Sequence, residues 1–232
     1  MRLKNLKGPG NPTDFINRPT SLPETFTREN FNLLCDALAE KDIHLRGILN
    51  THGYPPMWTR SATFATLILI ILEQQVSLAS AKAAFLKLKQ KIGRVTPKRL
   101  MTLSDAEMRA CYFSRQKMLY ARHLAEAILS RKINLRKLAV MPEHDIRKIL
   151  TGVKGIGDWT VDVYLMFALR RTDIFPIGDL ALVKSFRAIK SSTKDVSRDE
   201  ILGIADHWRP YRSVAAMLLW HHYLMERGLR IQ

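Results

Sequence analysis

The chain has 232 residues, 47% hydrophobic and 25% charged, and its 37 lysines and arginines outnumber 21 aspartates and glutamates for a formal net charge of +16. That apolar content suffices for the core of one domain or two small lobes, and with only 11 glycines a collagen-like or disordered chain is excluded. Two cysteines, Cys35 and Cys111, rule out a disulfide framework, a zinc ribbon and a four-cysteine iron–sulfur cluster, and read as core thiols of an intracellular protein.

The first 25 residues carry Pro9, Pro12, Pro19 and Pro23 and read as extended. They mix Arg2, Lys4 and Lys7 with glycine and proline, unlike a secretory signal. Phe26 to Glu40 reads as a helix, with Phe31, Leu34, Cys35 and Leu38 at 3–4 spacing, and Gly53-Tyr54-Pro55-Pro56 breaks the chain. Ser61 to Leu72 is almost wholly apolar, a buried helix too short for the roughly 20 residues a bilayer needs. Ala81, Ala84, Phe85, Leu88 and Ile92 mark an amphipathic helix; Ser104 and Glu107 form a capping box that opens a short helix. Further helices follow over about Gln116–Leu129, Pro142–Leu150 and Trp159–Arg170, and one begins at Asp179. No alternating β-branched runs and no fixed-period repeat occur, so the expected class is all-α with nine to eleven helices.

Charge is unevenly placed. Residues 61–178 hold 20 basic and 9 acidic side chains, or +11 of the +16, while the flanking segments are nearly balanced. Basic residues such as Lys82, Lys87, Lys89 and Lys91 interleave with apolar ones at helical spacing. With an isoelectric point near 10.1 and no membrane anchor, this predicts a helical surface facing an anionic partner, most commonly nucleic acid.

Two motifs carry chemistry. Val153-Lys154-Gly155-Ile156-Gly157-Asp158-Trp159-Thr160 joins two helices through a turn whose glycines leave its tip bare, so backbone N–H groups can face a phosphate, while Ile156 plugs the helices together. One helix later, Pro176-Ile177-Gly178-Asp179 returns the chain through a turn and sets Asp179 at a helix N-terminus. Aspartate is a favoured N-cap, and a carboxylate so held stays ionised, able to stabilise a developing cation or orient water. Asp158, Asp162 and Asp173 are rival carboxylates outside that turn; His221-His222 has no third ligand at metal spacing.

With these residues the sequence resembles the helix–hairpin–helix (HhH-GPD) DNA glycosylases, most closely the AlkA-type 3-methyladenine DNA glycosylases. The match runs through Ile71–Ser77, Ser114–Lys117, the hairpin, Phe175–Asp179 and the Trp208-Arg209-Pro210-Tyr211-Arg212-Ser213…Trp220 block, nearly the whole chain. The resemblance implies a two-lobed fold with a cleft: an extended segment 1–25, a discontinuous lobe from 26–60 and 179–232, and a central lobe 61–178. It implies base flipping, Asp179 as catalytic carboxylate, and Trp159, Trp220 and Val163 around the base pocket. Val163 stands where a relative has tyrosine, so the pocket should be wider or less aromatic. Lys154, Gly155, Ile156, Gly157 and Thr160 would grip DNA, and Gln75 would fill the gap left by the flipped base. The family needs no cofactor, though main-chain carbonyls of Thr151, Val153 and Ile156 would hold a monovalent cation (Na+ or K+). Lyase members carry a lysine in the slot of Trp159, so a monofunctional enzyme releasing alkylated purines by hydrolysis is expected. The expected partner is double-stranded DNA with damaged bases, met by a monomer inside the cell and away from membranes. A glycosylase for oxidised or deaminated bases, and a non-catalytic helix–hairpin–helix DNA-binding module, are the alternatives.

Overall fold

A computed structural model describes residues 25–190 and 196–229. Among these residues the regular structure is thirteen α-helices and one 3-10 turn (Asp206–Trp208), with a single isolated bridge between Thr25 and Arg171. The extended segment expected over residues 1–25 lies, except for Thr25, outside the described residues. The helices are α1 (Phe31–Lys41), α2 (Ile43–His52), α3 (Phe64–Glu73), α4 (Leu78–Ile92), α5 (Pro97–Met101), α6 (Asp105–Ala110), α7 (Arg115–Leu129), α8 (Leu135–Leu138), α9 (Glu143–Thr151), α10 (Asp158–Phe167), α11 (Leu180–Ile189), α12 (Arg198–Ala205) and α13 (Arg212–Met225).

The count exceeds the nine to eleven read from periodicity, for two physical reasons. Helices α5 and α8 span five and four residues, too short to set up a repeat, whereas the six-residue α6 follows the Ser104–Glu107 capping box as expected. The segment expected as one helix from Phe26 begins only at Phe31 and is followed by a second, because Asp42 ends α1 and caps α2. Its Oδ1 accepts the His44 N–H at 2.8 Å. Phe26 is fully buried outside the helix, its N–H bonded to the Arg170 carbonyl at 3.0 Å. At the other end, α10 stops at Phe167, and Arg170, at φ +55, turns the chain away.

Elsewhere local chemistry explains the boundaries directly. Thr63, Ser77, Thr96, Ser104, Ser114 and Asn134 each cap a helix by accepting a backbone N–H, and Ser104 with Glu107 completes the capping box. Helix α3 is buried on most of its surface, whereas α4 buries Ala81, Ala84 and Leu88 and exposes its lysines. Helices α3, α4, α7, α9 and α10 pack on one another, with α5 and α6 against α7; α1, α2, α11, α12, α13 and the 3-10 turn make a second set. One apolar core runs through both sets. No helix among the described residues is long and apolar enough to cross a membrane.

Both thiols lie in this core. Burial pushes the Cys35 thiol up to about 12, and burial likewise raises that of Cys111. Since the thiolate is the reactive form, native protein at pH 8 should react with a disulfide reagent at least ~100-fold more slowly than a free thiol. Both groups should titrate in guanidinium; rapid native labelling of either would contradict the packing.

Candidate active site and hairpin

The Pro176–Asp179 turn places Asp179 at the N-cap of α11, where its Oδ1 accepts the Leu182 N–H at 2.9 Å. Two tryptophans from different helices converge on the same carboxylate. Trp220 of α13 donates its indole N–H to Oδ1 at 3.0 Å, and Trp159 of α10 donates to Oδ2 at 3.0 Å. All three residues are half-buried. A carboxylate offers about four acceptor sites, so three donors leave one for a water or substrate atom.

The Trp208–Ser213 block holds this turn in place. Arg212 grips Asp173 through Nε–Oδ1 (2.7 Å) and Nη2–Oδ2 (3.1 Å) and bonds its carbonyl at 3.0 Å; Arg209 reaches Oδ2 at 2.5 Å. Ser213 donates its N–H to the Thr172 carbonyl at 2.8 Å and its hydroxyl accepts the Ile174 N–H at 2.9 Å. The segment leading into the turn is thus tied to the start of α13, seven and eight residues before Trp220. Trp208 is fully buried between Phe175 and Phe186, with ring centroids 5.8 and 5.9 Å away.

The rival carboxylates have other occupations. Arg147 of α9 bonds Asp158 at 2.9 Å and the buried Asp162 at 2.5 Å, joining the two hairpin helices. Asp173 is engaged by Arg209 and Arg212 as above. Asp179 differs: among the described residues its partners are N–H donors of neutral groups.

Val163 is a correction. It is 3% exposed and packed in the core, so it lines no open pocket; neighbouring Tyr164 is fully buried as well. The ring that packs beside Trp220 is instead that of Phe167, with centroids 5.4 Å apart. Arg60 stands 5.4 Å over Phe167 and makes a bidentate pair with Glu73 at 2.8 and 2.7 Å. Neither Phe167 nor Arg60 announces itself by motif, since their meeting depends on tertiary packing.

In the hairpin, Ile156 is buried between α9 and α10 and its N–H bonds the Val153 carbonyl at 3.0 Å. Gly157 is the N-cap of α10, with no side-chain cap on that helix's first N–H groups. Lys154, Gly157 and Asp158 are exposed. Thr160 is 1% exposed, and its hydroxyl accepts the side-chain amide of Gln74 at 2.9 Å, so it points inward rather than toward DNA. The same amide donates to the Gly155 carbonyl at 2.9 Å. Gln74 therefore anchors the turn, a role that sequence reading missed because attention falls equally on Gln75. Gln75 itself is exposed at φ +56, a conformation uncommon for a residue with a side chain. Behind the turn, Lys117 of α7 donates to the Leu72 carbonyl at 2.6 Å, and burial lowers its pKa.

The central segment's surface is more basic than its composition. Of its 20 basic side chains, 16 are exposed; of its 9 acidic ones only Asp105, Glu126 and Asp158 are. Two surface hollows, of about 700 and 300 Å³, contain no carboxylate; the smaller, lined by Leu72, Val76, Tyr112 and Lys117, lies beside the Gln74–Gln75 turn.

The two hairpin glycines answer to different constraints. Gly155 adopts φ +94, and a Cβ there would lie 2.0 Å from the Tyr120 ring; at Gly157 a Cβ would meet nothing within 4 Å. Gly155→Ala should lower stability by about 2 kcal/mol or more, from backbone strain plus displacement of the ring. Gly157→Ala should leave the melting temperature nearly unchanged but weaken duplex DNA binding, because only its bare tip matters. Equal stability of both variants in thermal unfolding would refute the distinction.

Comparison with known proteins agrees with this geometry. The model of the HhH-GPD superfamily base excision DNA repair proteins matches residues 68–210. DNA-3-methyladenine glycosylase 1 of Schizosaccharomyces pombe is 28% identical over 79% of this chain and 87% of its own length. The solved structure of the S. pombe 3-methyladenine DNA glycosylase with abasic DNA superposes at TM-score 0.75, 27% identity, over 81% of this chain and 94% of that one. A DNA-3-methyladenine glycosidase from Bacillus halodurans gives TM-score 0.70, 26% identity, over 84% and 91%. The hairpin, its Pro-x-x-Asp turn and the helices around them lie within the matched segment, and the chain belongs to the HhH-GPD superfamily of base excision DNA repair proteins.

Proposed function

We propose that this protein is a monofunctional DNA glycosylase of base excision repair that removes alkylated purines, with Asp179 as its catalytic carboxylate. The observation that carries the reading is the convergence of Trp159, Trp220 and the α11 N-terminus on that one carboxylate. Enzymes acting on a base in duplex DNA must swing it out of the stack into a pocket. Indoles that donate through their edges to Asp179 retain their π faces, which attract an electron-poor, cationic base such as N3-methyladenine or N7-methylguanine. Such a base leaves readily, so the enzyme need do little acid catalysis. As the C1′–N bond breaks, the electron pair stays with the base and positive charge develops on the sugar. Asp179 stabilises that charge and accepts a proton from the water that adds to C1′. Trp159, in the slot where a lyase would carry lysine, offers no amine for a Schiff base.

The DNA backbone is served by the uncapped N-terminus of α10 and by Lys154, with Gln75 at an exposed position to enter the gap left by the flipped base. Main-chain carbonyls of Thr151, Val153 and Ile156 suit a monovalent cation: α9 ends at Thr151, leaving last-turn carbonyls without helical donors, and Val153 retains a second lone pair beyond its bond to Ile156. A cation there would draw phosphate toward the turn. The basic surface of residues 61–178 adds sequence-independent attraction.

Asp179→Asn keeps the cap and the size but removes the charge. It should lower single-turnover release of 3-methyladenine from methylated duplex by at least ~100-fold. Affinity for undamaged duplex should hardly change. Excision by the Asn variant at the wild-type rate would dismiss the catalytic assignment, and DNA binding without base release by wild type would favour a binding module. Binding itself should fall by about 10³-fold between 50 and 200 mM salt, as for a protein neutralising about six phosphates; a flat salt dependence would speak against the basic face.

A further inference from the structure

We propose that His52, His222 and Glu226 form a binding site for a zinc-like divalent cation, where the end of α2 meets the end of α13. The sequence offers His221-His222 without a third ligand, because the partner lies 170 residues earlier. Packing of α2 against α13 supplies it. Nε2 of His52 stands 3.1 Å from Nδ1 of His222 and 3.5 Å from Oε1 of Glu226, and all three atoms lie within 4.8 Å of one another. A tetrahedral ion with bonds of about 2.0–2.1 Å separates its ligand atoms by about 3.3 Å, close to these two spacings, and the third pair, His222 with Glu226, which lies within 4.8 Å, would draw together on binding. A simple N–H···N bond between the rings would account for the first distance alone. It does not include the carboxylate, which stands 3.5 Å from His52 Nε2, at ion-pair distance but beyond good hydrogen-bond length.

The supports around the site are those a metal centre needs. His222 and Glu226 are four residues apart on α13, hence on one face of the helix. His221 turns the other way and places its Nε2 3.1 Å from the His52 carbonyl, fixing the end of α2 and with it the His52 ring. The His52 side chain is 10% exposed while that of Glu226 is 56% exposed, so the His52 ring is largely desolvated and the carboxylate closes the site from the solvent side. Three protein ligands leave a fourth position for water. Two imidazoles with one carboxylate favour zinc over magnesium, which prefers oxygen ligands. Among the described residues this is the one group of three histidine, cysteine or acidic side chains whose ligand atoms converge this closely. None of the three touches Asp179 or the hairpin, so the site stands independently of the catalytic reading. Its mechanical effect would be to clamp α2 to the helix that carries Trp220.

The test uses full-length protein stripped with a chelator, titrated with zinc by calorimetry and with cobalt(II) by visible absorption. One ion per chain is expected, with the intense visible bands of four-coordinate cobalt and a melting temperature that rises with zinc but not with magnesium. Glu226→Gln, at an exposed position that folding should tolerate, and His222→Gln should each weaken zinc by at least about tenfold. Circular dichroism confirms that the variants are folded. Failure of wild type to bind one zinc, or equal binding by wild type and a folded His222→Gln/Glu226→Gln double variant, would overturn the proposal.

Discussion

Three N–H groups from three separate helices end on the Asp179 carboxylate, and the placement of much of the chain serves that meeting. Trp159 is delivered by α10, whose start is the hairpin; Trp220 is delivered by α13, whose start is locked to Asp173 by Arg212. The two indoles come from the two sets of packed helices, so the carboxylate is also where those sets are joined by polar contact. Its own position follows from the oldest rule of helix ends, that an aspartate before the first turn satisfies an orphan N–H. A structural cap and the proposed catalytic carboxylate are therefore one group here, distinguished by what else surrounds it.

Asp42 makes the comparison concrete. It too caps a helix and accepts an indole N–H, from Trp208 at 3.0 Å, but it adds Lys190 at 3.2 Å. Burial would raise its pKa, yet the His44 N–H, the Trp208 indole and Lys190 together hold the carboxyl below the usual range. Such a group is saturated and committed to the fold. Asp158, Asp162 and Asp173 are committed likewise, each to arginine. Asp179 has donors of neutral groups only, so its negative charge is oriented but not cancelled by a neighbouring cation among the described residues. That difference, rather than membership of a turn alone, makes it the carboxylate available to a developing positive charge.

Much of this was legible from residue order because it depends on local physics. The 3.6-residue repeat located the long helices; Ser104 with Glu107, and Asp179 before Leu180, announced helix starts; paired glycines announced the hairpin. What stayed hidden depends on contacts between distant segments. Gln74 and Gln75 are indistinguishable as neighbours, yet one bonds Gly155 and Thr160 while the other faces solvent. Val163 looked like a pocket wall by position but faces the core, and Phe167 supplies the ring beside Trp220. Helix α2 escaped because its apolar positions are few, with only Leu45 and Ile48 buried, and its start rests on a cap rather than a stripe.

The same distinction reshapes the meaning of net charge. Composition alone assigns residues 61–178 an excess of eleven positive charges, but composition does not say which charges face solvent. Asp162 is buried and Glu73, Glu107, Glu143, Asp145 and Asp173 are partly covered, several held by arginines that are themselves drawn inward. Arg171, 2% exposed, gives its guanidinium to the carbonyls of Ala139 and Met141. Six of the nine acids but only four of the twenty bases are thus withdrawn from the surface, where the lysines keep their charge in water without a partner. With 16 basic and three acidic side chains exposed, the surface excess is thirteen, larger than the segment's own net charge. Two of the arginines that draw in its acids, Arg60 on Glu73 and Arg212 on Asp173, come from outside residues 61–178, so these ion pairs leave the segment with a more cationic face toward a phosphate backbone than its composition gives.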